Sequence, residues 1–442
     1  MITRAAISAP TFHGLTTRRF LVCLLVACLF FQRFGIAIGR QAANSAGPVG
    51  LLLGMFGLLQ GTIGFDRRRL FIYLFLVFWV LLGMAHHAAW PDAYGVSPSS
   101  NSVIQFLVLT SFFTLSFTEP MDETEFFHLV NSYFGIIAIA GIIQFFAQYL
   151  GVSIFSFDGI VPNFLLVEFG WNLQIGSGFG DTLKSNGFFL LEPSIFSQFM
   201  AIALIIEALA FKRMRYLCLF IAALFLSFSG TGWIILATFV VGVGASLGVR
   251  GLMLAVATSV ILGLALTAML TFSPEAAAVL TSRTDEIFIP LTSGHLRFVT
   301  PFWLLSDVLE WVPSAIVVGL GPGVSEHLPI NYLYNVNTPI KITLEFGLPA
   351  FIAYLMLFVV GRRTPLQRAI VLPAIVMVLI TGSYAQFPPV LFLAALIISV
   401  ARLRPSLGAG IQMRGKPARA ERPNRSLPPA APKAARWIPN ES

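Results

Sequence analysis

Apolar runs long enough to cross a bilayer recur along most of the chain, separated by short polar or basic punctuation. A transmembrane helix needs about 20 mostly apolar residues, within roughly 17–25. By that measure the candidate spans are 20–38, 47–65, 70–88, 102–118, 127–150, 193–211, 216–230, 232–249, 251–272, 341–361, 368–383 and 388–402. The pattern predicts an all-α polytopic membrane protein with about twelve transmembrane helices. Ser229-Gly230-Thr231-Gly232 must supply the tight turn between two of them. Two segments, 151–185 and 273–339, are too long to be connectors. Loops beyond roughly 15 residues are usually functional or disordered. These are rich in Phe, Trp, Leu and Gly, which is not a disordered composition, so both are expected to fold.

Charge sets the direction. With the N-terminus inside, 22 of the 28 Lys and Arg fall in inner segments and 5 in outer ones, while Arg33 lies within the first span. That is the bias expected of cytoplasmic loops. Glu119, Asp122, Glu123 and Glu125 gather in one inner loop, but acidic residues count for little in this rule. The organisation expected is a cytoplasmic N-terminus at 1–19, a transmembrane domain at 20–402 including outer loops 151–185 and 273–339, and a disordered basic cytoplasmic tail at 403–442. Both termini are then cytoplasmic. The apolar stretch after residue 19 reads as a retained first helix rather than a cleaved signal.

Composition narrows the class. The chain is 57% hydrophobic and 11% charged, against roughly 25% charged in soluble domains. A soluble enzyme and a secreted disulfide scaffold are excluded. From Arg402 onward nine Lys and Arg face only Glu421 and Glu441, which supplies most of the net charge of +8. The basic balance is therefore a property of the tail, suited to anionic lipid, and implies no nucleic-acid partner. Cys23, Cys28 and Cys218 lie in apolar runs without metal or redox spacing. Arg33 and Glu207 sit near span ends, where they can snorkel. No carboxylate relay or arginine ladder runs through the spans.

Polar residues suited to chemistry gather in and beside the long segments. The first leads through Lys184-Ser185-Asn186-Gly187-Phe188-Phe189-Leu190-Leu191 to Glu192-Pro193-Ser194 and a helix. Glu192 stands where a helix dipole favours a carboxylate, and Pro193 suits the first helical position. Glu192 is either a plain cap or a catalytic or substrate-binding group. Lys184, the one Lys or Arg of its segment, is either solvated or a substrate cation. In the second segment Phe298, Phe302, Leu305, Leu309 and Val312 recur at helical spacing. Such a helix would lie on the membrane face with Asp307 and Glu310 on its wetter side. Arg297, just ahead of it, offers a fork of donors matched to phosphate; the alternative is a snorkelling arginine. Gly319-Leu320-Gly321-Pro322-Gly323 lacks the strand and helix of a nucleotide loop. It reads as a tight turn that lets backbone approach a ligand or a helix. His327 is a candidate base, since histidine titrates near neutrality, or else an incidental loop residue. Glu345 carries the same alternatives.

The order of these features resembles the O-antigen polymerase and O-antigen ligase superfamily of bacterial envelope proteins. Carrying the resemblance are Gly187-Phe188-Phe189 before Glu192-Pro193-Ser194, the Ser-Gly-Thr-Gly turn, Arg297 with Trp303, the Gly-Leu-Gly-Pro-Gly turn, and Leu344-Glu345-Phe346-Gly347-Leu348-Pro349. It is clearest from about Lys184 to Pro349. The resemblance implies a C-type glycosyltransferase-like membrane fold in the bacterial inner membrane. The implied donor is a polyprenyl-diphosphate-linked oligosaccharide, used without nucleotide sugar, metal or other cofactor. A chain-length regulator and a flippase of the same pathway are the implied partners. Arg297 and Lys184 would hold the diphosphate, with Lys184 standing where an arginine is more usual. Glu192 or His327 would be the base. His295, Trp303 and Glu345 would be sugar or support contacts, and Trp171 another ring for stacking, interface anchoring being the alternative for both tryptophans. Ligases carry a histidine late in the second loop, and Tyr334-Asn335-Val336-Asn337-Thr338-Pro339 has none. The resemblance therefore points to a polysaccharide polymerase, with a ligase or a transporter as alternatives.

Overall fold

The computed structural model describes residues 16–38, 41–89, 98–151, 157, 161–167, 175, 181–272, 285, 287–326, 328, 335–361, 363–381 and 388–404. His327, Trp171 and the tail beyond Arg404 lie outside them. The described chain is mostly helical. Helices α1 (Thr17–Phe30), α2 (Ala46–Leu59), α3 (Arg67–Ala89), α4 (Ser100–Ser111) and α5 (Glu123–Ala147) precede the first long segment. They are followed by α6 (Pro193–Ile206), α7 (Met214–Leu226) and α8 (Thr231–Phe272). The second long segment carries α9 (Ser293–Phe298), α10 (Thr300–Trp311) and α11 (Ala315–Val318). Last come α12 (Thr338–Phe346), α13 (Leu348–Val359), α14 (Pro365–Ile380) and α15 (Pro388–Ala395). Among the described residues three helices, Arg67–Ala89, Glu123–Leu150 and Pro193–Phe211, are long and apolar enough to cross a membrane.

Local chemistry sets the helix starts. Side chains of Thr16, Ser99, Asp122, Asn337 and Thr364 each accept a first-turn N–H, matching donors that a helix start leaves open. The central element is α6, buried at every residue, with Ser194, Ser197 and Gln198 the polar members of an otherwise apolar helix. Around it pack α5, α7, α8 and α14. Helix α2 turns Gly47, Gly50, Gly54 and Gly57 inward, and a Cβ on Gly50 would fall 2.5 Å from the Phe392 ring. Small residues permit that approach. Beyond α13, Arg69 donates to the carbonyls of Val360 and Ser399, and Arg363 to those of Val359 and Ile398. The pair closes the carbonyl ends of two helical segments. Burial, with repulsion from Arg69, pushes Arg363 down to about 10.

The structure departs from the expected spans in several places. Span 20–38 stops at Phe30, because the Gln32 side chain donates to the Cys28 carbonyl (2.7 Å) and competes for a helical acceptor. A hairpin follows, β1 (Gly35–Ile38) with β2 (Gln41–Asn44). Span 47–65 ends at Leu59, and β3 (Ile63–Phe65) pairs with β4 (Leu115–Phe117). A parallel contact joins β5 (Met121–Asp122) to β6 (Leu403–Arg404). The fold is thus mostly, not wholly, helical.

Spans 232–249 and 251–272 form one helix of 42 residues, unbroken at Arg250-Gly251. A helical glycine costs only about 1 kcal/mol, and no proline interrupts the run. At 1.5 Å per residue α8 is about 63 Å long, twice a bilayer core. Span 341–361 instead divides at Gly347 (φ 86°), where a Cβ would stand 2.0 Å from the Val317 carbonyl oxygen. Glu207 does not snorkel. It is fully buried and takes bonds from Arg213 Nε (2.8 Å) and Nη2 (2.7 Å) and from Asn131 (3.1 Å). Arg33 is buried too, under a strand-like segment whose Val167 N–H bonds its carbonyl.

Candidate functional site at the start of α6

Glu192 precedes α6 in extended backbone, and its side chain makes no cap hydrogen bond. Its backbone nonetheless makes it the N-cap of α6, the Glu192 carbonyl taking the Phe196 N–H (3.2 Å). Its carboxylate instead faces Arg297, with Nη2 3.6 Å from Oε2 and side-chain exposures of 25% for Arg297 and 11% for Glu192. Two candidates from different long segments therefore meet. Such a pair can hold an anion on the guanidinium and take a proton on the carboxylate.

Several elements hold Glu192 in place. The Leu191 N–H reaches Gln32 Oε1 (3.4 Å). On the first turn of α6, the Ser194 carbonyl accepts from Ser197 and Thr231, whose hydroxyls lie 2.8 Å apart. The Gly232 N–H adds a bond to Ser197 Oγ (3.1 Å). The Ser-Gly-Thr-Gly turn is thus a clamp on the start of α6. Upstream, a polar cradle fixes residues 183–188. The Leu183 N–H donates to Gln148, Ser185 Oγ to the Gly141 carbonyl, and the N–H groups of Asn186 and Phe188 to Gln144 Oε1. Lys184, within this cradle, is 6% exposed, which removes the solvated reading.

Arg297 sits on α9, which Thr292 caps. Asn337 serves twice: its Oδ1 caps α12, and its Nδ2 holds the Arg297 carbonyl (3.2 Å). The Asn335 N–H holds that of Leu296 (3.1 Å). Sequence reasoning passed over Asn337, although an asparagine two residues before a proline is a recognisable helix start. His295 is buried beside Trp303, ring centroids 5.1 Å apart. Its Nδ1 lies 3.0 Å from the Ile287 carbonyl and must donate there, and Nε2 has no partner among the described residues. On α10 the face turned inward is Thr300, Pro301, Leu304 and Val308, while Phe302 of the expected membrane-facing stripe is exposed. The inner face follows Leu304 and Val308 because they meet Ile340 and Leu344 of α12.

Glu345 and the glycine turn pack together around α12. Glu345 is fully buried, 3.2 Å from Lys341 Nζ, and accepts from Ser325 Oγ at 2.5 Å. The turn bonds α12 through the N–H groups of Leu320 and Gly321, to the carbonyls of Leu344 and Glu345. A Cβ on Gly319 would stand 2.4 Å from the Glu345 carbonyl oxygen, and one on Gly321 2.9 Å from the ring of His87. The glycines let backbone meet helices.

Comparison with family models, with curated proteins and with solved structures finds no match for this chain.

Proposed function

We propose that this chain is a membrane glycosyltransferase of the O-antigen polymerase type. It joins polyprenyl-diphosphate-linked oligosaccharide units into a polysaccharide at the outer face of the inner membrane. The observation that carries the reading is the meeting of Arg297 and Glu192. A diphosphate leaving group needs a cation, and an acceptor hydroxyl needs a proton acceptor. Arg297 serves the first need, with Lys184 as the second cation, and Glu192 serves the other. The pair also requires residues 192 and 297 to share one side, whichever way α8 runs. The contact supports both long segments lying on one side, and the excess of Lys and Arg in the segments expected inside supports that side being the outer one. Reporters fused after Arg69, Arg215 and Arg363 then read cytoplasm, and those after Pro91, Gly170 and Gly323 read the outside. A cytoplasmic signal at Gly170 or Gly323 would overturn both the topology and the site.

A strain lacking the chain should lose polymer and accumulate single lipid-linked units. Polymer made but left unattached to its acceptor would instead mean a ligase, and unchanged glycan would exclude both. A transporter is the second reading. It is favoured by the break at Gly347 beside the buried Lys341–Glu345 pair, since broken helices and paired charges mark transport sites. In that case, single units would accumulate on the inner side of the membrane.

A further inference from the structure

Beside Glu192 the chain holds a bulky residue in a costly conformation. Gly187 and Phe188 are both left-handed, φ 72° and 64°. Glycine adopts this freely, whereas phenylalanine does so only when the surroundings force it. The force is visible: the Phe188 N–H is held by Gln144 Oε1 (3.2 Å) and Asn186 Oδ1 (3.1 Å). Gln144 and Asn186 are themselves buried and bonded to each other at 2.8 Å. The strain aims the Phe188 ring at Phe157 (centroids 4.9 Å) and sets it edge-on to Phe189 (5.0 Å). Phe157 continues to Phe34 (5.1 Å), Phe34 to Phe31 (5.9 Å), and Phe189 to Phe30 (4.7 Å). These rings are partly exposed.

We propose that Phe188, with Phe157, Phe34 and Phe189, forms a stacking platform for a sugar ring of a lipid-linked glycan. The inference rests on the function proposed above and adds a subsite to it. Aromatic faces carry partial negative charge and attract the C–H face of a pyranose, which carries the opposite sign. The position favours sugar over lipid tail. All four residues lie outside the helices, between the end of α1 and the start of α6, while a polyprenyl chain belongs with the apolar spans. The platform leads in three residues from Phe189 to Glu192, where the glycosidic bond would form.

The test uses full-length protein in nanodiscs and two probes: the lipid-linked oligosaccharide that accumulates in the deletion strain, and polyprenyl diphosphate without sugar. Phe188→Leu should weaken the first roughly three- to tenfold and leave the second unchanged. Phe188→Tyr should bind both like the wild type. Melting curves of both variants establish that they fold, and the tyrosine variant serves if the leucine variant does not: weaker glycan binding by Phe188→Tyr would also count against a stacking role. Unchanged glycan binding by Phe188→Leu overturns the platform. Equal loss of both probes overturns it in favour of a lipid contact. Failure of the sugar-free diphosphate to bind wild-type protein, or to bind more weakly to Arg297→Ala, overturns the diphosphate site itself.

Discussion

Arg297→Ala is expected to abolish polymer while the protein remains in the membrane. Two consequences of the substitution act together. On the proposed function the donor's diphosphate would lose a charge-assisted contact worth about 1.5–3 kcal/mol, a ten- to hundredfold loss at about 1.4 kcal/mol per decade. Glu192, 3.6 Å away, loses its cation as well. If the diphosphate gathers charge in the transition state, the fall in rate exceeds the fall in binding. Arg297→Lys rescues only in part, because a point charge replaces a two-toothed donor. Polymer is measured by gel and protein by immunoblot in the complemented deletion strain. Normal polymer from Arg297→Ala at wild-type protein level would remove this residue from the site.

Lys341→Ala is the second large effect, and it is expressed in stability. Lys341 and Glu345 are among the most buried charges of the described chain, with side-chain exposures of 4% and 0%. Removing one partner of a buried pair leaves the other uncompensated, at about 3–5 kcal/mol. Replacing both charges, as Lys341→Met with Glu345→Leu, should recover most of the loss, since apolar groups of similar volume often replace such pairs without penalty. Melting in detergent reads both. A single variant within about 0.5 kcal/mol of wild type would show the pair to be energetically idle. A double variant that is stable but inactive would place the pair in function.

How much of this was legible from residues alone differs from element to element. Apolar periodicity located the regions of α3, α5 and α6, because continuous runs of that length have few alternatives. It misjudged α1, α2 and α8, whose ends depend on single contacts or on their absence. The Gln32 side chain ends α1 by a bond no hydropathy window registers, and α8 continues where Arg250-Gly251 looked like a loop. Glu192 and Arg297 were each recognisable by residue type and neighbours. Their meeting was not, because no local pattern links positions so far apart. Lys341 and Glu345 stand at helical spacing and were open to reading as a pair. Counting Lys341 among the five cations of the outer segments hid that. The role of Asn337 was hidden by attention to the histidine missing beside it, and the aromatic platform because φ at Phe188 is set by Gln144, far upstream.

The burial of α6 also bears on the order in which the protein is made. Chains emerge from N to C, so α6 is complete while only α1–α5 exist. At that moment Ser197 lacks Thr231, Gln198 lacks Thr381, and the faces later covered by α8 and α14 are open. The helix at the centre of the finished molecule is therefore among the last to be secured. Until α14 arrives it carries polar groups awaiting partners, and a ribosome stalled before Thr381 would leave Gln198 without its Thr381 partner.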